Sequence, residues 1–75
     1  MLDKTIKLLR IEMRLTQEKM AHLIGVPKTT YQSWEMGKNL PNFENLNKLI
    51  IIARANGMEE KINNAYTHDK TKRGD

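Results

Sequence analysis

Four polar residues in the middle of the chain could recognise another molecule through hydrogen bonds. An advance of about 100° per residue, as in an α-helix, places them on one arc. These residues are Lys28, Thr29, Gln32 and Ser33. The major groove of duplex DNA presents closely spaced donors, acceptors and thymine methyl groups, which such side chains can meet directly. The arc therefore suits the reading of bases, although a solvated helix face has the same composition.

The opposite arc of this helix is expected to pack against the rest of the domain. It carries Tyr31 and Trp34, whose large apolar rings favour burial, with Glu35 at its edge. A lone carboxylate at a buried edge needs a partner, because burying an unpaired charge is costly.

Other chemistries find little support in the sequence. His22 and His68 have no accompanying ligands at zinc spacing, and the chain has no cysteine for a thiolate site or a disulfide. No nucleophile with a base, no paired carboxylates and no glycine-rich phosphate loop can be recognised. We therefore expect no metal, no cofactor and no enzymatic activity.

Composition favours one small folded domain with an anionic partner. The 75 residues are 39% hydrophobic and 29% charged, which is enough apolar surface for a single core. Thirteen basic residues against nine acidic residues give a net charge of +4, which favours a polyanion such as nucleic acid. No apolar run approaches the length of a signal peptide or a membrane span, so a cytoplasmic protein without a membrane partner is expected.

The elements that position the polar arc are all predicted to be helices. Apolar spacing predicts five of them, over residues 3–14, 17–24, 27–36, 43–55 and 58–66. Thr16 can cap the second helix, Gly25 suits its left-handed end, and Pro27 suits the first turn of the third. Two short helices thus meet across a tight turn. The fold class is all-α with four to five helices, in one domain over residues 1–66, followed by a polar basic tail over residues 67–75 that is expected to fray.

Residues 15–38 resemble the Cro and phage-repressor (XRE-type) helix-turn-helix family. The resemblance depends on Thr16-Gln17 before helix two, Ala21, Gly25, and the ending Trp34-Glu35-x-Gly37-Lys38 followed by Pro41. It extends over about residues 6–57 and implies a compact lambda-repressor-like domain that binds double-stranded DNA. Two positions depart from the family pattern: Pro27 replaces a usual serine cap, and Arg14 replaces a frequent glycine.

The resemblance also implies roles for individual residues. The polar arc of Lys28, Thr29, Gln32 and Ser33 would approach the bases. Phosphate contacts are expected from five residues: Gln17, Arg10, Arg14, Lys38 and Asn39. Arg10 is further implied to pair with Glu35. Structural roles are expected for Ala21, Gly25, Tyr31 and Trp34.

The expected function is that of a transcription regulator, with repression favoured, acting as a homodimer on a palindromic operator in a bacterial, phage or plasmid setting. The apolar run at residues 49–53 is covered either by helix five or by a second subunit. Candidate interface residues are Ile51, Ile52, Met58, Ile62 and Tyr66. An alternative is the antitoxin of a toxin-antitoxin pair, which would contact its toxin through helix four or five and also bind its own operator. The basic tail of Lys70, Lys72 and Arg73 either contacts DNA or is solvated.

Overall fold

Five helices make up the described part of the chain. The computed structural model describes residues 1–73, with side chains for residues 1–70, and no strand occurs among them. The helices are α1 (Leu2–Glu12), α2 (Gln17–Ile24), α3 (Lys28–Glu35), α4 (Phe43–Ala55) and α5 (Glu59–Arg73). The all-α class is thus confirmed. Helix α3 is shorter than predicted by one residue at each end, because Pro27 and Met36 are its caps.

The turn between α2 and α3 follows from local chemistry. The Thr16 hydroxyl caps α2 by accepting a hydrogen bond from the backbone N–H of Lys19 at 3.1 Å. At the other end Gly25 has φ +91°, a left-handed conformation that glycine adopts without a steric penalty. The N–H groups of Gly25 and Val26 both donate to the carbonyl of Ala21, at 2.8 and 3.0 Å. Pro27, with φ −61°, then turns the chain into α3.

A single core draws side chains from all five helices and from the residue before α5. Tyr31 and Trp34 pack edge to face within it, with ring centroids 5.7 Å apart. The buried hydrophobic residues are Leu2, Ile6, Leu9, Met20, Ala21, Ile24, Tyr31, Trp34, Leu46, Leu49, Ala53, Met58, Ile62 and Ala65. Helix α3, which carries the polar arc, is held in place by contacts with α1 and α2.

The position of α5 corrects part of the predicted subunit interface. Met58 and Ile62 are only 6% and 0% exposed, because α5 folds back on α4 and α1 and buries them in the core of the same chain. Neither residue is available to a second subunit. Ile51 is 63% exposed, whereas Ile52 and Tyr66 are half-buried. These three residues stay candidates for an interface.

Helix α5 also runs past Tyr66, where fraying was expected to begin. It continues to Arg73, and the carboxylate of Asp69 accepts a hydrogen bond from the backbone N–H of Leu2 at 2.7 Å. This bond joins α5 to the first turn of α1, a contact between residues too distant in sequence to be predicted from local pattern. The domain limit at residue 66 stays a prediction, and residues 74–75 lie outside the described part of the chain.

The basic tail is described only in part. The ammonium of Lys70 lies over the ring of Tyr66, 5.8 Å from its centroid. The side chains of Lys72 and Arg73 lie outside the described residues. Within residues 1–73, none of the helices combines the length and the apolar character that crossing a bilayer requires.

Candidate nucleic-acid interface

The polar arc of α3 points away from the core. Tyr31 and Trp34 on the opposite arc are 0% and 3% exposed, and they fix the rotation of the helix. Lys28 and Thr29, in the first turn, are exposed to solvent. The remaining members of the arc, Gln32 and Ser33, are half-buried. The structure therefore brings the four predicted base-contacting residues together on one accessible surface.

A shallow groove runs beside this arc, between α3 and the start of α4. Thr29 and Ser33 line it from α3, and Asn39, Asn42 and Asn45 line it from the following segment. The side chain of Asn42 accepts a hydrogen bond from the Asn45 backbone N–H at 2.8 Å and so caps α4. Neither Asn42 nor Asn45 was predicted to lie beside α3, because their position there depends on the path of the loop.

Arg10 and Glu35 form the ion pair that the family resemblance implied. The Nε of Arg10 donates to Oε2 of Glu35 at 2.7 Å, and Nη2 donates to Oε1 at 3.3 Å. Only 15% and 4% of the two side chains are exposed. Arg10 Nη1 also donates to the carbonyl of Leu15 at 2.9 Å. The guanidinium is therefore engaged inside the domain, and its predicted phosphate contact stays a prediction.

The surroundings of Glu35 keep its carboxylate ionised. Burial by itself would raise the pKa of Glu35, but hydrogen bonds from Arg10, Tyr31 and Gln17 outweigh it and hold the pKa below the usual value. The Tyr31 hydroxyl donates to Oε2 of Glu35. Burial and this neighbouring anion raise the pKa of the Tyr31 phenol well above its usual value, so Tyr31 stays a neutral donor. The cluster joins one anion to one cation where α1, α2 and α3 meet, with little of either side chain exposed.

Two glutamines extend this cluster to the surface of α3. Nε2 of Gln17 donates to Oε1 of Glu35 at 3.0 Å, and Nε2 of Gln32 donates to Oε1 of Gln17, also at 3.0 Å. We call this chain of Glu35, Gln17 and Gln32 the glutamine relay. Sequence reasoning placed Gln17 near phosphate and Gln32 near bases without connecting them. No periodic signal could have done so, because the contact depends on how α2 and α3 cross.

Comparison with known proteins identifies the family of this domain. A family model described as helix-turn-helix matches residues 6–53, which extend from α1 through most of α4. The chain belongs to the helix-turn-helix family. Over 49 residues it is 43% identical to the cryptic phage CTXphi transcriptional repressor RstR of Vibrio cholerae. That alignment covers 65% of this chain but only 44% of the relative. No solved structure matches the chain.

The helix-turn-helix match confirms the resemblance to the Cro and phage-repressor family. Within the matched range, α2 and α3 are the two short helices joined by the tight turn at Gly25. The other predicted phosphate-contacting residues lie at the ends of helices. Arg14 follows α1 with φ +59°, a left-handed conformation that explains why glycine is frequent there. Gln17 is the first residue of α2, and Lys38 and Asn39 are exposed in the loop after α3.

The described residues of this helix-turn-helix domain offer little to a metal ion. No group of three or more histidine or acidic side chains comes together among them. His22 is exposed on α2.

Proposed function

We propose that the chain is a sequence-specific DNA-binding domain that represses transcription. The observation that carries this proposal is the orientation of α3, whose polar arc faces outward while Tyr31 and Trp34 anchor the opposite arc in the core. Membership of the helix-turn-helix family and the identity to a phage transcriptional repressor support it. The chain spans less than half the length of that relative.

In the proposed complex α3 lies in the major groove. Its arc meets base edges through short and medium polar side chains, with the Lys28 cation at the N-terminal end. Helix α3 has no acidic residue in its first turn, so nothing there repels phosphate. The DNA phosphates are contacted by residues on either side of this arc. These residues are Arg14 and Gln17, before or at the start of α2, and Lys38 and Asn39, after α3.

The proposed binding unit is a homodimer. One recognition helix reads only a few base pairs, whereas two copies related by a two-fold axis double the contacts on a palindromic operator. Ile51, which is 63% exposed on α4, offers apolar surface for such contact. A dimer on an operator that overlaps a promoter would block transcription by occupying the site.

Selection from a random duplex pool tests sequence-specific binding directly. We expect the bound sequences to converge on a palindrome whose half-sites are separated by about one helical turn of DNA, roughly 34 Å, or a multiple of it. Sedimentation of the complex would give two chains per duplex. Bound sequences without a shared motif would contradict specific reading, and a motif without symmetry would contradict the dimer.

Lys38→Ala tests the phosphate contact in isolation from base reading. We expect a similar loss of affinity on every duplex, because a phosphate contact carries no sequence information. The slope of log affinity against log salt should become shallower by about one unit per binding site. Fluorescence anisotropy across a salt series measures both quantities. Lys61→Ala, which removes an exposed lysine on α5, is the matched control, and an equal change in slope for the two variants would remove the role of Lys38.

A further inference from the structure

We propose that Glu35 determines which end of the Gln32 carboxamide is presented to DNA. Through the glutamine relay it turns the Gln32 oxygen outward, so that Gln32 recognises a base that carries an exocyclic amino group, adenine or cytosine. This inference rests on the proposed function and names the chemistry by which one residue of α3 selects its base. Gln17 is then a positioning residue as well as a phosphate contact.

The first step is the orientation of Gln17. An ionised carboxylate only accepts hydrogen bonds, so the carboxamide of Gln17 must turn its nitrogen towards Glu35. The observed bond, from Nε2 of Gln17 to Oε1 of Glu35 at 3.0 Å, has this polarity. Arg10 and Tyr31 donate to the same carboxylate, so every neighbour of Glu35 in this cluster is a donor. A flipped Gln17 would place oxygen against oxygen.

The second step carries this polarity to Gln32. Once the nitrogen of Gln17 faces Glu35, its oxygen is the atom available to α3, and Gln32 can meet it only with nitrogen. The bond from Nε2 of Gln32 to Oε1 of Gln17 at 3.0 Å is the result. The relay thus fixes an amide orientation that would otherwise be free to reverse, because the two ends of a carboxamide have nearly the same shape.

The third step concerns the Gln32 oxygen that remains. Among the described residues, every buried side-chain nitrogen or oxygen atom has a hydrogen-bond partner, whereas no donor bonds to the Gln32 oxygen. This oxygen is therefore accessible on the arc that faces outward. In the major groove an acceptor is matched by the amino groups of adenine and cytosine, whereas guanine O6 and thymine O4 are themselves acceptors. Adenine is matched best, since the second Nε2 hydrogen of Gln32 can also reach its N7.

The test couples Gln32 to a single chemical group on the DNA. Selection with wild type and with Gln32→Ala identifies the base pair whose preference the substitution removes. At that pair the amino group is deleted, with purine in place of adenine or 2-pyrimidinone in place of cytosine. Wild type should lose about three- to tenfold in affinity, the range for one hydrogen bond, and Gln32→Ala should lose less than about twofold. Thr29→Ala, altered on the same arc, should lose as much as wild type.

Gln17→Met tests the relay itself. The substitution removes both hydrogen bonds of Gln17 and frees Gln32 to rotate its amide. Deleting the amino group from the DNA should then lower the affinity of this variant by about twofold or less. A loss of phosphate contact alone would lower affinity for both duplexes equally and leave the ratio of the two affinities unchanged, which would overturn the relay.

Base reading by Gln32 has its own contradicting outcomes. It would be overturned if deletion of the amino group cost wild type and Gln32→Ala the same affinity, or if Gln32→Ala selected the same sequences as wild type. A wild-type pool without a motif would instead overturn the proposed function, and the base-reading role of Gln32 with it.

Discussion

Arg10→Met is expected to lower the free energy of unfolding by about 3 kcal/mol at neutral pH. The substitution keeps an apolar stem of similar length but removes the only cation in contact with Glu35 in the described cluster, whose side chain is 4% exposed. The carboxylate would then be buried with neutral donors alone. Urea denaturation followed by circular dichroism measures the loss. A change below about 1 kcal/mol would show that the pair contributes no more than a surface ion pair.

The stabilisation that the Arg10–Glu35 pair provides is expected to decrease as the pH is lowered. In wild type the pKa of Glu35 lies below its usual value of 4.5, so the unfolded chain binds more protons than the folded chain in this range. The stabilisation is complete above the unfolded pKa and is lost as pH falls through the folded pKa. Without Arg10 the folded pKa should rise, because burial then acts with less opposition. The difference in free energy of unfolding between wild type and Arg10→Met should therefore become smaller as the pH is lowered from neutral to about pH 4. A difference that does not change with pH would contradict the ion-pair explanation.

A second ion pair provides the matched control for Arg10. Arg54 and Glu59 lie 2.8 Å apart, with 64% and 36% of their side chains exposed. Both charges stay hydrated, so separating them costs little. Arg54→Met should change the unfolding transition hardly at all. Comparing the stability losses of Arg10→Met and Arg54→Met shows how much of the effect comes from the burial of the ion pair.

Ile62→Ala is expected to cost about 2–4 kcal/mol of stability, although residue 62 lies beyond the family match at residues 6–53. Ile62 is 0% exposed, where α5 packs on the rest of the core, and truncation would leave a cavity there. For a domain of this size the loss corresponds to a fall in Tm of roughly 10–30 °C. Thermal melting followed by circular dichroism would measure it.

Asn63→Ala is the control for Ile62, because it changes the adjacent, exposed residue of the same helix. It should leave the Tm nearly unchanged or raise it slightly, since alanine has the higher helix propensity. If both variants melted together with wild type, α5 would not be docked as the structure shows.

The sequence predicted those parts of the fold that local chemistry determines. The cap at Thr16, the left-handed Gly25 and the spacing of apolar residues were sufficient to locate α2, α3 and α4 within one residue at each end. The rotation of α3 followed in the same way, because Tyr31 and Trp34 must be buried and their arc leaves the polar residues outside. These inferences need only the period of one helix and the preferences of single residues.

Contacts between elements distant in sequence could not be predicted in this way. Burial of Met58 and Ile62 by the chain itself depends on the angle at which α5 returns across α4. The extension of α5 past Tyr66 accompanies a bond between Asp69 and Leu2, at opposite ends of the described chain. Equally, the link from Gln17 to Gln32 becomes visible only when α2 and α3 are placed together.

The glutamine relay divides the polar arc into two kinds of position. Lys28 and Thr29 stand free in solvent, so a substitution there changes what the surface recognises at little cost to the fold. A substitution at Gln32 also removes a partner from Gln17 and, through it, disturbs the surroundings of a buried anion. Descendants of this domain are therefore expected to acquire new target sequences mainly through the first turn of α3, with Gln17 and Gln32 changing together.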